Sequence, residues 1–266
     1  MGGTRSITSR DNPKFKALRT LATDAREWRR QGRSLLDGPH LVATYRDQVG
    51  LPEALVIRAG AQDHPEVGQL LQSMPRADVL ELPEALFREI CGVVTPVGIL
   101  ALIPVPASRA VTRVADCVVL DAVQDTGNVG TIIRTAAAAG FETVVLGPGC
   151  AGAWSPRVMR AAQGAHFSLD VQEVPDLVAF LGDYGGSRLA AVAREGDSLY
   201  SAGMPAPAAW VFGNEGAGIS PVVLSAVDRH VTIPMAGHSE SLNVAAAAAI
   251  CLFETRRQRL AQGEEK

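Results

Sequence analysis

The segment Cys117-Val118-Val119-Leu120-Asp121-Ala122-Val123 is almost continuously apolar, and a run of that length predicts a strand buried on both faces of a parallel sheet. Further short apolar runs follow at residues 143–146, 167–171, 188–192, 208–212 and 231–233, with helical stretches between most of them, the first at 129–139. This alternation predicts a mostly parallel sheet covered on both faces. Upstream, apolar runs at 54–57, 79–82 and 97–103 alternate with helical patterns at 67–74 and 83–90, the content of a smaller α/β domain. Pro104-Val105-Pro106-Ala107-Ser108 reads as a stiff linker, because closely spaced prolines favour extended backbone and break helix and sheet. The boundary is placed near 108, giving a first domain over 1–108 and a second over 109–266.

The N-terminal part has a different pattern. Asn12-Pro13 marks a helix entry, and Phe15, Leu18, Leu21, Ala22, Ala25 and Trp28 recur at spacings of three and four. One helix is expected here, packing that stripe inward while Lys14, Lys16, Arg19, Arg26, Arg29 and Arg30 face outward.

Charge changes the picture only when divided along the chain. The total is −3, from 25 Lys or Arg and 28 Asp or Glu, but residues 1–50 hold ten basic residues against five acidic ones. From 51 to 110 the count is four against seven, and beyond 110 it is eleven against sixteen. A basic end on an acidic protein suits phosphate contact, the main source of nucleic-acid affinity, although a solvated helix face has the same composition.

With 47% hydrophobic residues the 266-residue chain can build one large core or two modest ones. It contains no apolar run of membrane-spanning length and no hydrophobic signal core after Met1, so no membrane partner and a cytoplasmic location are expected. Cys91, Cys117, Cys150 and Cys251 are widely spaced and read as reduced thiols in apolar surroundings. The five histidines show no ligand spacing, and no metal is expected.

Candidate chemistry concentrates in the last third. Gly213-Asn214-Glu215-Gly216 ends one apolar run, Ile233-Pro234-Met235 ends another, and Ser241-Leu242-Asn243 opens an alanine-rich helical stretch over 244–257. Glycine turns leave backbone amides and carbonyls uncovered for a ligand, and Ser241 or Asn243 could cap the helix. Singly, each is an ordinary turn or cap; in this order, they read as one ligand site.

With Asn128-Val129-Gly130 and Arg134 upstream, this combination resembles the SpoU (TrmH) family of RNA ribose methyltransferases in the SPOUT superfamily, over about residues 117–259. The family's three motifs stand at 128–140, 213–218 and 233–244; Ala246 replaces a serine often found on the last helix, and Asp37 a glutamate usual before Gly38. The resemblance implies a C-terminal SPOUT domain with a trefoil knot, preceded by a smaller α/β RNA-binding domain similar to certain ribosomal proteins. It implies S-adenosyl-L-methionine as cofactor, held by Ala193, Gly213, Ile233, Met235 and Leu242. Asn128, Arg134, Glu215, Ser241 and Asn243 are implied as catalytic residues, with Arg134 activating the ribose 2′-hydroxyl or clamping an RNA phosphate. A homodimer is implied, with the helix over 244–257 in its interface. The substrate is structured RNA, ribosomal RNA being favoured over transfer RNA by analogy with relatives carrying such an N-terminal module.

Two readings compete. Gly147-Pro148-Gly149-Cys150-Ala151-Gly152 after the strand at 143–146 matches a dinucleotide fingerprint, with Asp170 downstream, as in a nicotinamide-dependent oxidoreductase. Against it, the next helix is expected to begin with Ser155 as cap and Pro156 as first residue, too late for the glycines to lead into it. The other is an RNA-binding protein without catalysis, disfavoured because buried polar side chains without a task cost stability.

Overall fold

The computed structural model describes residues 3–24, 26–106, 114–236 and 241–263. Ala25 of the amphipathic stripe, the end of the expected linker at Ala107-Ser108 and Gly237 of the third motif lie outside them. The chain forms two compact units. The first comprises the described residues of Met1–Ala107 with Trp154–Phe167, and the second those of Ser108–Ala153 and Ser168–Lys266.

In the first unit, strands β1 (Thr4–Ser6), β2 (Arg33–Asp37), β3 (Ala54–Arg58), β4 (Val79–Leu82) and β5 (Ile99–Pro104) form a sheet of order β1-β4-β3-β5-β2. The β1/β4 and β3/β4 pairs are parallel and the β3/β5 and β2/β5 pairs antiparallel. Its helices are α1 (Pro13–Thr23), α2 (Glu27–Gln31), α3 (Pro39–Gln48), α4 (Pro65–Ser73) and α5 (Glu84–Ile90). Helix α7 (Pro156–Ala162), which follows the linker by almost fifty residues, also belongs to this unit, and Ser34 Oγ on β2 donates to the Trp154 carbonyl at 2.6 Å.

The single N-terminal helix read from the apolar stripe is two. At Asp24 the backbone turns extended (φ −105, ψ 113), and its carboxylate accepts from the Arg26 amide at 2.9 Å. A short acidic side chain that offers the backbone an alternative to helical bonding produces such a break. Phe15, Leu18, Leu21 and Trp28 are nevertheless all buried. The basic face is partly neutralised, with Lys16 on Asp11, Arg19 on Glu89 and Arg30 on Glu27, while Arg29 lies over the Trp28 ring.

The second unit is a seven-stranded, fully parallel sheet of order β10-β12-β9-β11-β6-β7-β8. Its strands are β6 (Cys117–Asp121), β7 (Thr143–Leu146), β8 (Asp170–Glu173), β9 (Ser187–Val192), β10 (Asp197–Ser198), β11 (Ala208–Gly213) and β12 (Arg229–Thr232). Every residue of β6, β7 and β11 is buried, as their unbroken apolar runs require. The strand expected at 167–171 is displaced to β8, because Phe167 sits in a 3-10 turn.

Helices α6 (Thr126–Ala139), α8 (Leu177–Gly182), α9 (Pro221–Leu224) and α10 (Val244–Ala261) pack on this sheet. Helix α6 is capped by Asp125, whose Oδ1 accepts from the Asn128 amide at 2.8 Å, and stopped by Gly140 at φ 85. Helix α10 runs four residues past the expected end at Arg257 and is tied to the sheet through Trp210, whose Nε1 donates to Thr255 Oγ1 at 2.9 Å. The cysteines are free thiols; Cys117 and Cys251 are buried, and Cys91 and Cys150 only partly so. Burial pushes Cys117 and Cys251 up to about 12 and Cys150 to about 11, so all three stay protonated at neutral pH.

Candidate active site

A parallel sheet offers its ligand sites at the carboxyl ends of its strands, where loops diverge from a switch in strand order. Here β6 lies between β7, which follows it, and β11, which the chain reaches much later. The turns leaving β6, β9, β11 and β12 therefore open on the same end of the second unit.

The turn after β11 is closed by reciprocal backbone bonds, Asn214 N to Gly218 O and Gly218 N to Asn214 O, both 2.9 Å. The Asn214 carboxamide locks it further, with Oδ1 accepting from the Gly216 and Ala217 amides at 2.9 and 3.0 Å. Its Nδ2 donates to the Ala122 carbonyl at 2.8 Å, joining this turn to the one that leaves β6. Gly213 is required by space: a Cβ there would stand 2.3 Å from the backbone of Gly218 and Ile219.

Glu215, next to Asn214, clamps the same neighbouring turn from the other side. Its carboxylate accepts from the amides of Gln124 at 3.4 Å and Asp125 at 3.3 Å, and from Asn128 Nδ2 at 2.9 Å. Asn128 Oδ1 in turn accepts from Asn243 Nδ2 at 3.0 Å, while Asn243 Oδ1 caps α10 through the amides of Ala245 and Ala246 at 2.9 and 3.2 Å. One chain of hydrogen bonds thus links the turn after β11, the first turn of α6 and the start of α10. Burial pushes the Glu215 carboxyl up, but the bonds from Asn128 and the backbone outweigh it and hold the group below its ordinary value.

Beside this node lies a cleft of about 360 Å³, within the range of sites that take small organic ligands. Ala193, Gly213, Glu215, Ile233, Met235, Ser241, Leu242 and Asn243 all line it, together with residues 216–219 of the glycine turn. Leu242 leaves 38% of its surface uncovered there and gives the cleft an apolar wall.

Nine of the ten site residues read from the sequence thus belong to the cleft or its hydrogen-bonded rim. Asn128 stands behind the lining and holds Glu215 and Asn243 in place; it is the third residue of α6 and not its cap, a role Asp125 takes. Arg134 is the exception. It is exposed on α6 and does not line the cleft. The sequence reading missed Asn214 and Ala122. Asn214 was visible in the Gly-Asn-Glu-Gly turn, whereas no local signal marks Ala122, a non-glycine residue at φ 55. The glycine-rich 147–152 segment does not enter a helix: α7 starts at Pro156 after Ser155, as expected, so the dinucleotide reading lacks its phosphate-binding helix end. Among the described residues no cluster of His, Cys, Asp and Glu could hold a metal ion, and no helix is long and apolar enough to cross a membrane.

Residues 116–253 match the model of the SpoU rRNA Methylase family. The chain is 32% identical to the 23S rRNA (guanosine(2553)-2′-O)-methyltransferase RlmP of Bacillus subtilis, over 95% of this chain and 99% of that protein. The AdoMet-bound rRNA methyltransferase of Sinorhizobium meliloti superposes with a TM-score of 0.81 at 27% identity, covering 96% of this chain and 98% of that one. The SpoU methyltransferase AviRb of Streptomyces viridochromogenes, in complex with AdoMet, gives 0.81 at 25% identity over 94% of this chain and all of its own.

Proposed function

Because the chain belongs to the SpoU rRNA methylase family, we propose that it transfers a methyl group from S-adenosylmethionine to a ribose 2′-hydroxyl of ribosomal RNA. The observation that carries this is the cleft beside the Glu215–Asn128–Asn243 chain, which joins an apolar, backbone-lined pocket to a polar rim.

The lining fits the donor. Ile233, Met235 and Leu242 offer apolar walls to an adenosine, and the turns at Ala193 and Gly213 bring backbone groups to its edge. When bound, S-adenosylmethionine supplies an electrophilic methyl carbon on a sulfonium, which needs neither metal nor protein nucleophile. What the protein must contribute is alignment and help with one proton.

Glu215, Ser241 and Asn243 face the cleft as its polar groups, with Asn128 fixing the first and last of them. Arg134 is exposed, and its planar guanidinium offers a fork of donors that matches a phosphate. We assign it to an RNA phosphate, which it would hold against the ribose so that the phosphate oxygen orients or accepts the 2′-hydroxyl proton.

We further infer a homodimer through α10. Phe253 and Leu260 leave 47% and 51% of their surfaces uncovered on that helix, and its alanines permit close approach of a second copy. A trefoil knot in the second unit is supported by the strand order, since β12 lies beyond β9 while α10 returns to pack on α6 and β11. The first unit, with its basic N-terminal helices, is the part we assign to holding RNA.

Incubating the protein with methyl-labelled donor and unmodified ribosomal RNA, then mapping ribose methylation, tests the function. Label is expected at a 2′-oxygen of one nucleotide. Transfer to a base, or no transfer with donor bound, contradicts it.

A further inference from the structure

The first unit holds a cavity of its own, about 390 Å³, between the end of α1, β2, the loop after α5 and α7. Its floor is Asp37, the last residue of β2, whose side chain is only 8% exposed. Asp37 Oδ2 accepts from the Gly92 amide at 2.8 Å and from Arg160 Nη1 at 3.4 Å. Oδ1 has no partner among the described residues. Gly92 is required here, since a Cβ would stand 2.0 Å from Arg160 Nη1.

The lining is mixed: Leu35, Ile90 and Leu100 are buried beneath and Val93 and Val94 stand at the mouth, 37% and 92% exposed, while Thr23, Cys91 and Glu89, the last paired with Arg10 and Arg19, supply polar groups. Arg157, exposed at the rim, makes no ion pair among the described residues. The result is a cavity with an apolar base and a carboxylate that keeps one oxygen free beside a loosely held guanidinium.

That polar end selects among bases. Guanine alone presents two adjacent donors, N1–H and N2–H, next to an acceptor, O6. Adenine and cytosine each offer a single exocyclic donor beside a ring acceptor, and uracil's one donor lies between two carbonyls; a carboxylate repels those acceptors. Resting on the reading of the chain as an RNA methyltransferase, we propose that this cavity holds one unstacked guanine of the RNA. Asp37 accepts from N1–H and N2–H, Arg160 donates to O6, and Arg157 contacts the adjoining phosphate. This guanine is a second anchor, held entirely by the first unit and separate from the nucleotide that is methylated.

The test uses the full-length protein and fluorescent hexaribonucleotides of uridine carrying one internal guanosine, inosine or 1-methylguanosine, read by anisotropy without donor. Inosine lacks the 2-amino group and 1-methylguanosine the N1–H. The guanosine hexamer is expected to bind about tenfold tighter than either, the effect of one hydrogen bond to a charged group. Asp37→Asn should abolish the difference while leaving the circular dichroism spectrum of the full chain unchanged, which shows that both units stay folded. Arg157→Gln, at an exposed side chain, should weaken all three hexamers about threefold alike and lower the salt dependence. Equal binding of the three by the native protein, or discrimination that survives Asp37→Asn, overturns the proposal. Free GMP binding as tightly as the guanosine hexamer assigns the cavity to a free nucleotide and overturns the RNA source. Ribose methylation is measured separately: its absence sinks the methyltransferase reading and leaves hexamer discrimination to be judged alone.

Discussion

Asn128 Nδ2 donates to Glu215 Oε1 at 2.9 Å across 87 residues of sequence. Asn128 also accepts from Asn243, so one carboxamide, donating with its nitrogen and accepting with its oxygen, fixes two loops that belong to different motifs. Only a side chain with both a donor and an acceptor can do this. Asn128→Asp removes the donor and sets two carboxylates together. Methyl transfer to ribosomal RNA is expected to fall about tenfold or more, the loss of about 1.5–3 kcal/mol for a hydrogen bond to a charged group. Circular dichroism should show the fold retained, and Asn128→Gln should recover part of the rate. Near-native turnover by Asn128→Asp contradicts the role of the node.

Acid should open this node. Burial raises the Glu215 carboxyl, but the bonds from Asn128 and the Gln124 and Asp125 amides lower it by more, leaving it below its ordinary 4.5. A group depressed in the folded state binds fewer protons there than when unfolded, so its contribution is complete above 4.5 and disappears as pH falls through the depressed value. Donor affinity followed by calorimetry should hold steady from pH 7 to about 5 and decline below the ordinary carboxylate range. Glu215→Gln should flatten that decline; an unchanged pH profile in this variant removes Glu215 as its cause.

Ala122 stands at φ 55, where its carbonyl meets Asn214 Nδ2. A left-handed conformation costs an L-residue about 1–2 kcal/mol, and glycine avoids that cost while losing about 0.4–1 kcal/mol through the freer unfolded chain. Ala122→Gly is expected to stabilise the protein by about 0.5 kcal/mol in urea unfolding. Destabilisation would show that the Ala122 methyl, close enough to Gly149 that a Cβ added there would stand 3.1 Å from it, contributes more than the strain costs.

Asp116 and Arg259 form a nearly buried pair, 11% and 13% exposed, with Asp116 also receiving the Ala208 amide at 2.8 Å and Arg259 reaching the Pro205 carbonyl at 2.7 Å. Asp116→Asn keeps the acceptor for Ala208 but removes the guanidinium's counter-charge, and should cost about 3 kcal/mol. Asp116→Asn with Arg259→Met should recover most of it, as measured by thermal unfolding. A double variant as unstable as the single one would mean that the geometry at Pro205, not the isolated charge, sets the loss.

How far the sequence discloses this site follows from the range of the forces involved. The buried parallel strands were legible, because a fully covered strand must be apolar throughout, as at 117–121 and 208–212. The glycine turn, the Ile-Pro-Met turn and the Asn243 cap are each legible because glycine, proline and asparagine mark chain geometry locally, whereas their convergence is carried by their order and the family resemblance. Asp24, which divides the N-terminal helix, acts through one bond to Arg26 that competes with an otherwise good helical pattern. Packing of α7 in the first unit depends on β2 more than a hundred residues earlier, which no window of sequence contains. Strand β10 is two residues long and exists through its register with β12. The exposed position of Arg134 was likewise invisible, since a motif gives a residue's place in the chain and not the face of the helix it occupies.

Titration of S-adenosylhomocysteine into the native protein and into Gly213→Ala is the most direct test of the central claim that the three loops make a donor pocket. One site per chain is expected in the native protein, and at least a tenfold loss in Gly213→Ala, whose added carbon would stand 2.3 Å from the Gly218 backbone and displace the turn. No binding by the native protein, or undiminished binding by a folded Gly213→Ala, would contradict it.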